Sequence, residues 1–166
     1  MPKYLIVFLV IVASVCNAQT PGKTEPPVLV QAKKMVHALQ ISDFDTFDKY
    51  TNPALIDTLG GKEKYNEVLQ EAAESLAEQN LKYDSIKLEQ PSEPVKCNKE
   101  LQCVIAETVT LTREGNGVVS MYKSYLIGIS SDGGTNWNFI NADVSNMDKL
   151  KAIFPNICDS VSALVK

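Results

Sequence analysis

Two charged residues stand where strand alternation calls for apolar ones. In the stretch 101–113 the odd positions Leu101, Cys103, Ile105, Val109 and Leu111 are apolar, and Glu107 interrupts them. In 118–130 the odd positions Val119, Met121, Tyr125, Ile127 and Ile129 are apolar, and Lys123 interrupts those. Side chains two apart on a strand share a face, so each charge lies among apolar neighbours. A charge buried there without a partner costs on the order of several kcal/mol, so the pattern calls for pairing, water or a cavity. A loop centred on Asn116 sets Glu107 opposite Tyr125 and Val109 opposite Lys123. A loop centred on Gly133 sets Lys123 opposite Asp143 and Tyr125 opposite Asn141. On that register Glu107, Lys123, Tyr125 and Asn141 share one face and line a candidate pocket for a small polar or amphipathic ligand. Burial that raises the Glu107 pKa would let this carboxylate act as a general base. A structural salt bridge, or a bulge that turns one charge to solvent, accounts for the same residues without a ligand.

A second cluster has a different chemistry. Residues 130–137 read SSDGGTNW, and the spacing Ser130-x-Asp132-x-Gly134-x-x-Trp137 is that of the Asp-box of sialidases and other β-propellers. A propeller needs several four-stranded blades. This chain has about five strand-like segments and one tryptophan, and its first half reads as helix. Turn chemistry explains the motif instead: Asp132 accepts from nearby backbone N–H groups, and Gly133 and Gly134 tolerate positive φ. The expectation is a hairpin clasp over which Trp137 packs. His37, the one histidine, falls on the polar side of its segment and reads as a surface residue.

The elements that must position these groups follow from periodicity. Val28, Leu29, Ala32, Met35, Val36 and Leu39 make one helical face. Ser42–Asp45 reads as a capped start for a short helix through Phe44 and Phe47, and Asn52-Pro53 interrupts it. After Gly60-Gly61, the stripe Tyr65, Val68, Leu69, Ala72, Ala73 and Leu76 marks the clearest helix, with its glutamates on a solvated face. Strands are expected at 83–88, 95–97, 101–113, 118–130 and 136–142, with an Asn-Gly turn in 114–117. The tail around Pro155 carries one short helix.

The chain starts MPKYLIVFLVIVASVCNAQT. Lys3, an uncharged apolar run from Tyr4 to Val15 and small residues before Gln19 read as a signal peptide, residues 1–18, cleaved after Ala18. Lipidation at Cys16 is a minor alternative. The Pro-rich segment 19–27 reads as a linker, and 28–166 as a single domain. The expected product is exported, periplasmic or secreted, with no membrane association after cleavage. The net charge is −4 for the whole chain, and no basic patch offsets phosphate repulsion, so nucleic acid is a poor partner. Cys97, Cys103 and Cys158 leave an odd count, so at least one is free or pairs between chains. Cys97 and Cys103 flank a turn: a three-residue loop would put them on one face and allow a bridge, whereas a two-residue turn would point them apart. No CxxC or His/Cys spacing suggests a metal, and no cofactor is called for.

Helices followed by a meander of long strands argue for an α+β fold, with the N-terminal helices packed on a curved antiparallel β-sheet. In this order, and in GGKEKYNEVLQEAAE, PSEPVK…ELQC and SYLIGISSDGGTNWNFI, the chain resembles the NTF2-like (cystatin-like fold) superfamily, in particular exported bacterial members of uncharacterised function. The resemblance spans residues 28–142 and implies a cone-shaped cavity and a homodimer through the sheet. It transfers no catalytic residue, because the Asp/His and Asp/Tyr sets of the family's enzymes have no counterpart here. Two functions follow as expectations. One is a non-catalytic exported domain that binds a small ligand or serves as an interaction module. The other is a small-molecule enzyme with Glu107 as general base.

Overall fold

A computed structural model describes residues 24–113, 115 and 117–166. The expected signal peptide, most of the expected linker and part of the expected Asn-Gly turn lie outside the described residues.

The first helix, α1 (Pro27–Gln40), begins inside the segment read as linker. Pro27 at its start has the φ a helix needs and no N–H to leave unpaired. Its stripe of Val28, Leu29, Ala32, Met35 and Val36 is buried. Helix α2 (Phe44–Tyr50) is capped by Asp43, which accepts from the Thr46 N–H at 3.1 Å. Helix α3 (Pro53–Thr58) is capped in the same way by Asn52, from Ala54 N–H at 3.0 Å.

Helix α4 (Lys62–Glu78) is anchored at its N-terminal end. Lys62 Nζ lies 2.8 Å from Asp45 and 3.4 Å from the buried Asp48, and the Tyr65 hydroxyl lies 3.4 Å from Thr51 Oγ1. Tyr65 is its only buried residue. Further along, Leu69 packs against the edge of the core, and with Ala72, Ala73 and Leu76 it also borders open space. An apolar stripe normally buries itself, so a stripe left standing off the sheet defines one wall of a cavity.

The sheet is antiparallel, curved and unclosed. Its strands are β1 (Leu81–Leu88), β2 (Val95–Cys97), β3 (Glu100–Arg113), β4 (Gly117–Ser130) and β5 (Asn138–Ala142), in the order β1-β3-β4-β5, with β2 also paired to β3. With helices on it, the fold is α+β, as read from the element order. Two short helices, α5 (Met147–Ile153) and α6 (Asp159–Ser162), replace the single one expected in the tail.

Both faces of the sheet carry a packed core, although Val118, Val119 and Met121 near the tip of β4 stay exposed. On one face Cys103, Ile105, Leu126 and Phe139 pack against α1, Phe47 of α2 and Tyr65 of α4. On the other, Val104, Ile127 and Ile140 pack against Met147, Leu150, Phe154 and Ile157 of the tail. Gln102, fully buried on that second face, donates to the Asn156 carbonyl at 2.9 Å and accepts from the Cys158 N–H at 3.2 Å.

A disulfide joins Cys97 to Cys158 across 61 residues, and Cys103 is free and buried. This corrects the Cys97–Cys103 candidate. Cys97 pairs with Glu100, so the turn holds only Asn98 and Lys99, and Asn98 takes a positive φ of 56°. Two-residue turns set Cys97 and Cys103 on opposite faces, and Cys97 meets the tail instead.

Candidate functional site

The hairpin at 130–137 is a structural clasp. Asp132 Oδ1 accepts from Ser130 Oγ at 2.9 Å, Thr135 N at 3.1 Å and Asn136 N at 2.9 Å, and Oδ2 accepts from Asn136 Nδ2 at 2.7 Å. These bonds, led by that from the Asn136 N–H, hold the Asp132 pKa down at about 2. Gly133 and Gly134 take φ of 77° and 96°, where a side chain is strained. Trp137 is buried and donates through Nε1 to the Gly134 carbonyl at 2.8 Å. Gln31 of α1 ties the clasp to the helices, donating to Thr135 O and accepting from Trp137 N, each at 2.9 Å. Ser130, Asp132 and the Trp137 indole are all engaged within the turn, which is the bonding of a clasp.

Glu107 is different. It sits in β3 on the helix-facing side, between Ile105 and Val109, and is 4% exposed. Its Oε1 accepts from Ser124 Oγ at 2.5 Å and from Asn141 Nδ2 at 2.8 Å. Oε2 takes part in neither bond. Among the described residues no fully buried side-chain oxygen or nitrogen lacks a partner, so Oε2 borders open space. That space is a cavity of about 560 Å³ between the sheet and α4, lined mostly by apolar side chains such as Met35, Leu39, Leu69, Ala73 and Leu76. A volume of this size suits a small-molecule site.

Burial pushes the Glu107 pKa up, against the lowering effect of the Ser124 and Asn141 bonds. Tyr83 of β1 and Tyr122 of β4 also line the cavity. Burial raises both phenols first. Tyr122 adds to the rise at Tyr83, and the Glu107 charge raises each of them further. Glu107 therefore meets the cavity with two phenols near enough to feel its charge, the half-exposed Tyr122 among them, and with no basic group among the causes of its own shift.

The four residues expected to share one pocket are divided between two faces. Glu107 and Asn141 line the cavity, whereas Lys123 and Tyr125 do not. Glu107 pairs with Ser124, Thr108 with Lys123, Ala106 with Tyr125, and Asn141 with Leu126. The hairpin is centred on Gly115 and not on Asn116, and pairing then shifts by one residue at Leu111/Thr112, so that Glu107 meets Ser124 instead of Tyr125. A one-residue slip sends a whole strand's side chains to the other face. Lys123 is exposed on the far side, and the Tyr125 hydroxyl donates to the Lys166 carbonyl under the tail. No Glu107–Lys123 ion pair forms. Ser124, Tyr122 and Tyr83 take the places expected for Lys123 and Tyr125. The register shift that places them there has no mark in the residue pattern.

Comparison with protein-family models, curated proteins and solved structures finds no match to this chain.

Proposed function

We propose that this protein is an exported, non-catalytic binding domain of the NTF2-like kind, which takes a small amphipathic ligand into the cavity between α4 and the sheet. The carrying observation is the pairing of an open apolar cavity with one buried carboxyl whose Oε2 is unengaged. An apolar cavity with a single convergent polar end fixes orientation as well as affinity. The Cys97–Cys158 disulfide supports export, since such bridges persist in oxidising compartments. So does the apolar N-terminal run. The tail helices occupy part of the outer sheet face, so a dimer through the sheet would use the remainder, near Met121 and Lys123.

Titration with the neutral dye Nile red tests the binding reading. The protein should bind one dye molecule, and Ala73→Phe, which fills the cavity from α4, should abolish binding. Undiminished binding in Ala73→Phe would contradict it. Mass spectrometry of the protein from its host tests export: Gln19 should be the first residue, and an intact Met1 in the mature pool would contradict secretion.

Glu107 as a general base is the second reading, favoured by its raised pKa and free oxygen. The host's bound compound, extracted and then returned to the protein, separates the two. Recovery unchanged supports binding, and conversion that is lost in Glu107→Gln supports the base.

A further inference from the structure

The charge balance on the Glu107 side of the cavity narrows the ligand. Glu107 has two neutral partners, Ser124 and Asn141, and both engage Oε1. Lys123 faces the other side of the sheet. Lys82 borders the cavity, but it is exposed and is not among the causes of the Glu107 shift. The carboxylate thus has no counter-charge of the protein's own on this side. Beside it are the phenol oxygens of Tyr83 and Tyr122, close enough to feel its charge.

We propose that the ligand is a cationic amphiphile, an aliphatic or aromatic primary amine, seated with its ammonium on Glu107 Oε2 and its apolar body along α4. This rests on the cavity being a ligand site. An ammonium carries three donors and no acceptor. Oε2 accepts, and each phenol oxygen can accept as well, so the donors of an ammonium suit the groups at hand. Aromatic neighbours add attraction for a cation. A carboxylate-headed amphiphile brings a like charge into a poorly solvated site and is repelled. A neutral alcohol offers one donor and brings no opposite charge to pair with the carboxylate.

The test is displacement of Nile red from the full chain at neutral pH by three probes of one length: decylamine, 1-decanol and decanoate. Decylamine should bind about tenfold or more tighter than 1-decanol, as a charge-assisted bond requires, and decanoate should bind weakest. Glu107→Gln should bring decylamine to the level that 1-decanol shows in the same variant. A circular dichroism spectrum like that of the wild type shows that the variant is folded. Equal binding of all three probes to the wild type would overturn the cationic head while leaving the cavity as a ligand site. A dye that Ala73→Phe does not displace would overturn the site itself. The wild-type ranking alone decides the ligand class if Glu107→Gln fails to fold.

Discussion

At the residue scale, the protein's polar chemistry is set by which carboxylates are satisfied. Asp132 is exposed and fully engaged. Glu107 is buried and half engaged. Their pH dependences therefore have opposite signs. Asp132 has a folded pKa of about 2 against an ordinary 3.8. Its stabilisation is present above the ordinary value and is lost as pH falls toward 2. Asp132→Ala should lower the melting temperature at neutral pH, and the deficit should shrink in that acid window. Glu107 has a folded pKa raised above the ordinary 4.5. Below that value it contributes no pH-dependent term. As pH rises from there through its folded pKa, the native state holds the extra proton and stability declines. Urea melts across this range should show the decline in the wild type and its absence in Glu107→Gln. An identical slope in both would mean that Glu107 is solvated.

At the element scale, the register of β3 against β4 decides what the cavity contains. A double-mutant cycle of Glu107→Gln with Lys123→Met should be additive to within about 0.5 kcal/mol, as expected for residues without shared contacts. A cycle of Glu107→Gln with Asn141→Ala should show coupling of about 0.5–3 kcal/mol. The clasp depends on Trp137, which lies against Gly128: a Cβ there would come within 3.2 Å of the Trp137 ring and 3.3 Å of Cys103 Sγ. Trp137→Ala should cost ~3–5 kcal/mol in denaturant melts, and a loss under about 1 kcal/mol would contradict its burial.

The helices α1 and α4, the long strands and the clasp were legible because periodicity and turn residues act locally. The face of β4 was not. Residues 125–129 are apolar in both phases where two cores sandwich the strand, so Leu126 and Ile127 are both buried. The more apolar phase, with Lys123 and Tyr125, was therefore assigned to the cavity although it belongs under the tail. Alternation cannot tell which of two buried faces holds which neighbour, and a bulge leaves no composition signal. Glu107 lies on the cavity face because it falls in the same phase of β3 as Ile105 and Val109, whereas Asn141 reaches that face from β5 opposite Leu126 and not opposite Tyr125.

At the scale of the whole molecule, a sheet with a packed core on each face separates two tasks. The outer core is closed by the tail and stapled by Cys97–Cys158. The inner one is left unfilled where α4 stands away from the strands. The disulfide closes a loop of 61 residues, which on the chain-entropy account stabilises by about 4 kcal/mol. Replacing both cysteines by serine should lower stability by that order in denaturant melts.

The central claim is that the space between α4 and the sheet receives a ligand. Methyl-resolved NMR during titration with 1-decanol addresses it most directly. Shifts should appear at Met35, Ala73, Ala77 and Val109, which line the cavity, and leave Val104, Ile127 and Ile140 of the outer core unchanged. Shifts at the outer core, or none at the four cavity methyls, would contradict it.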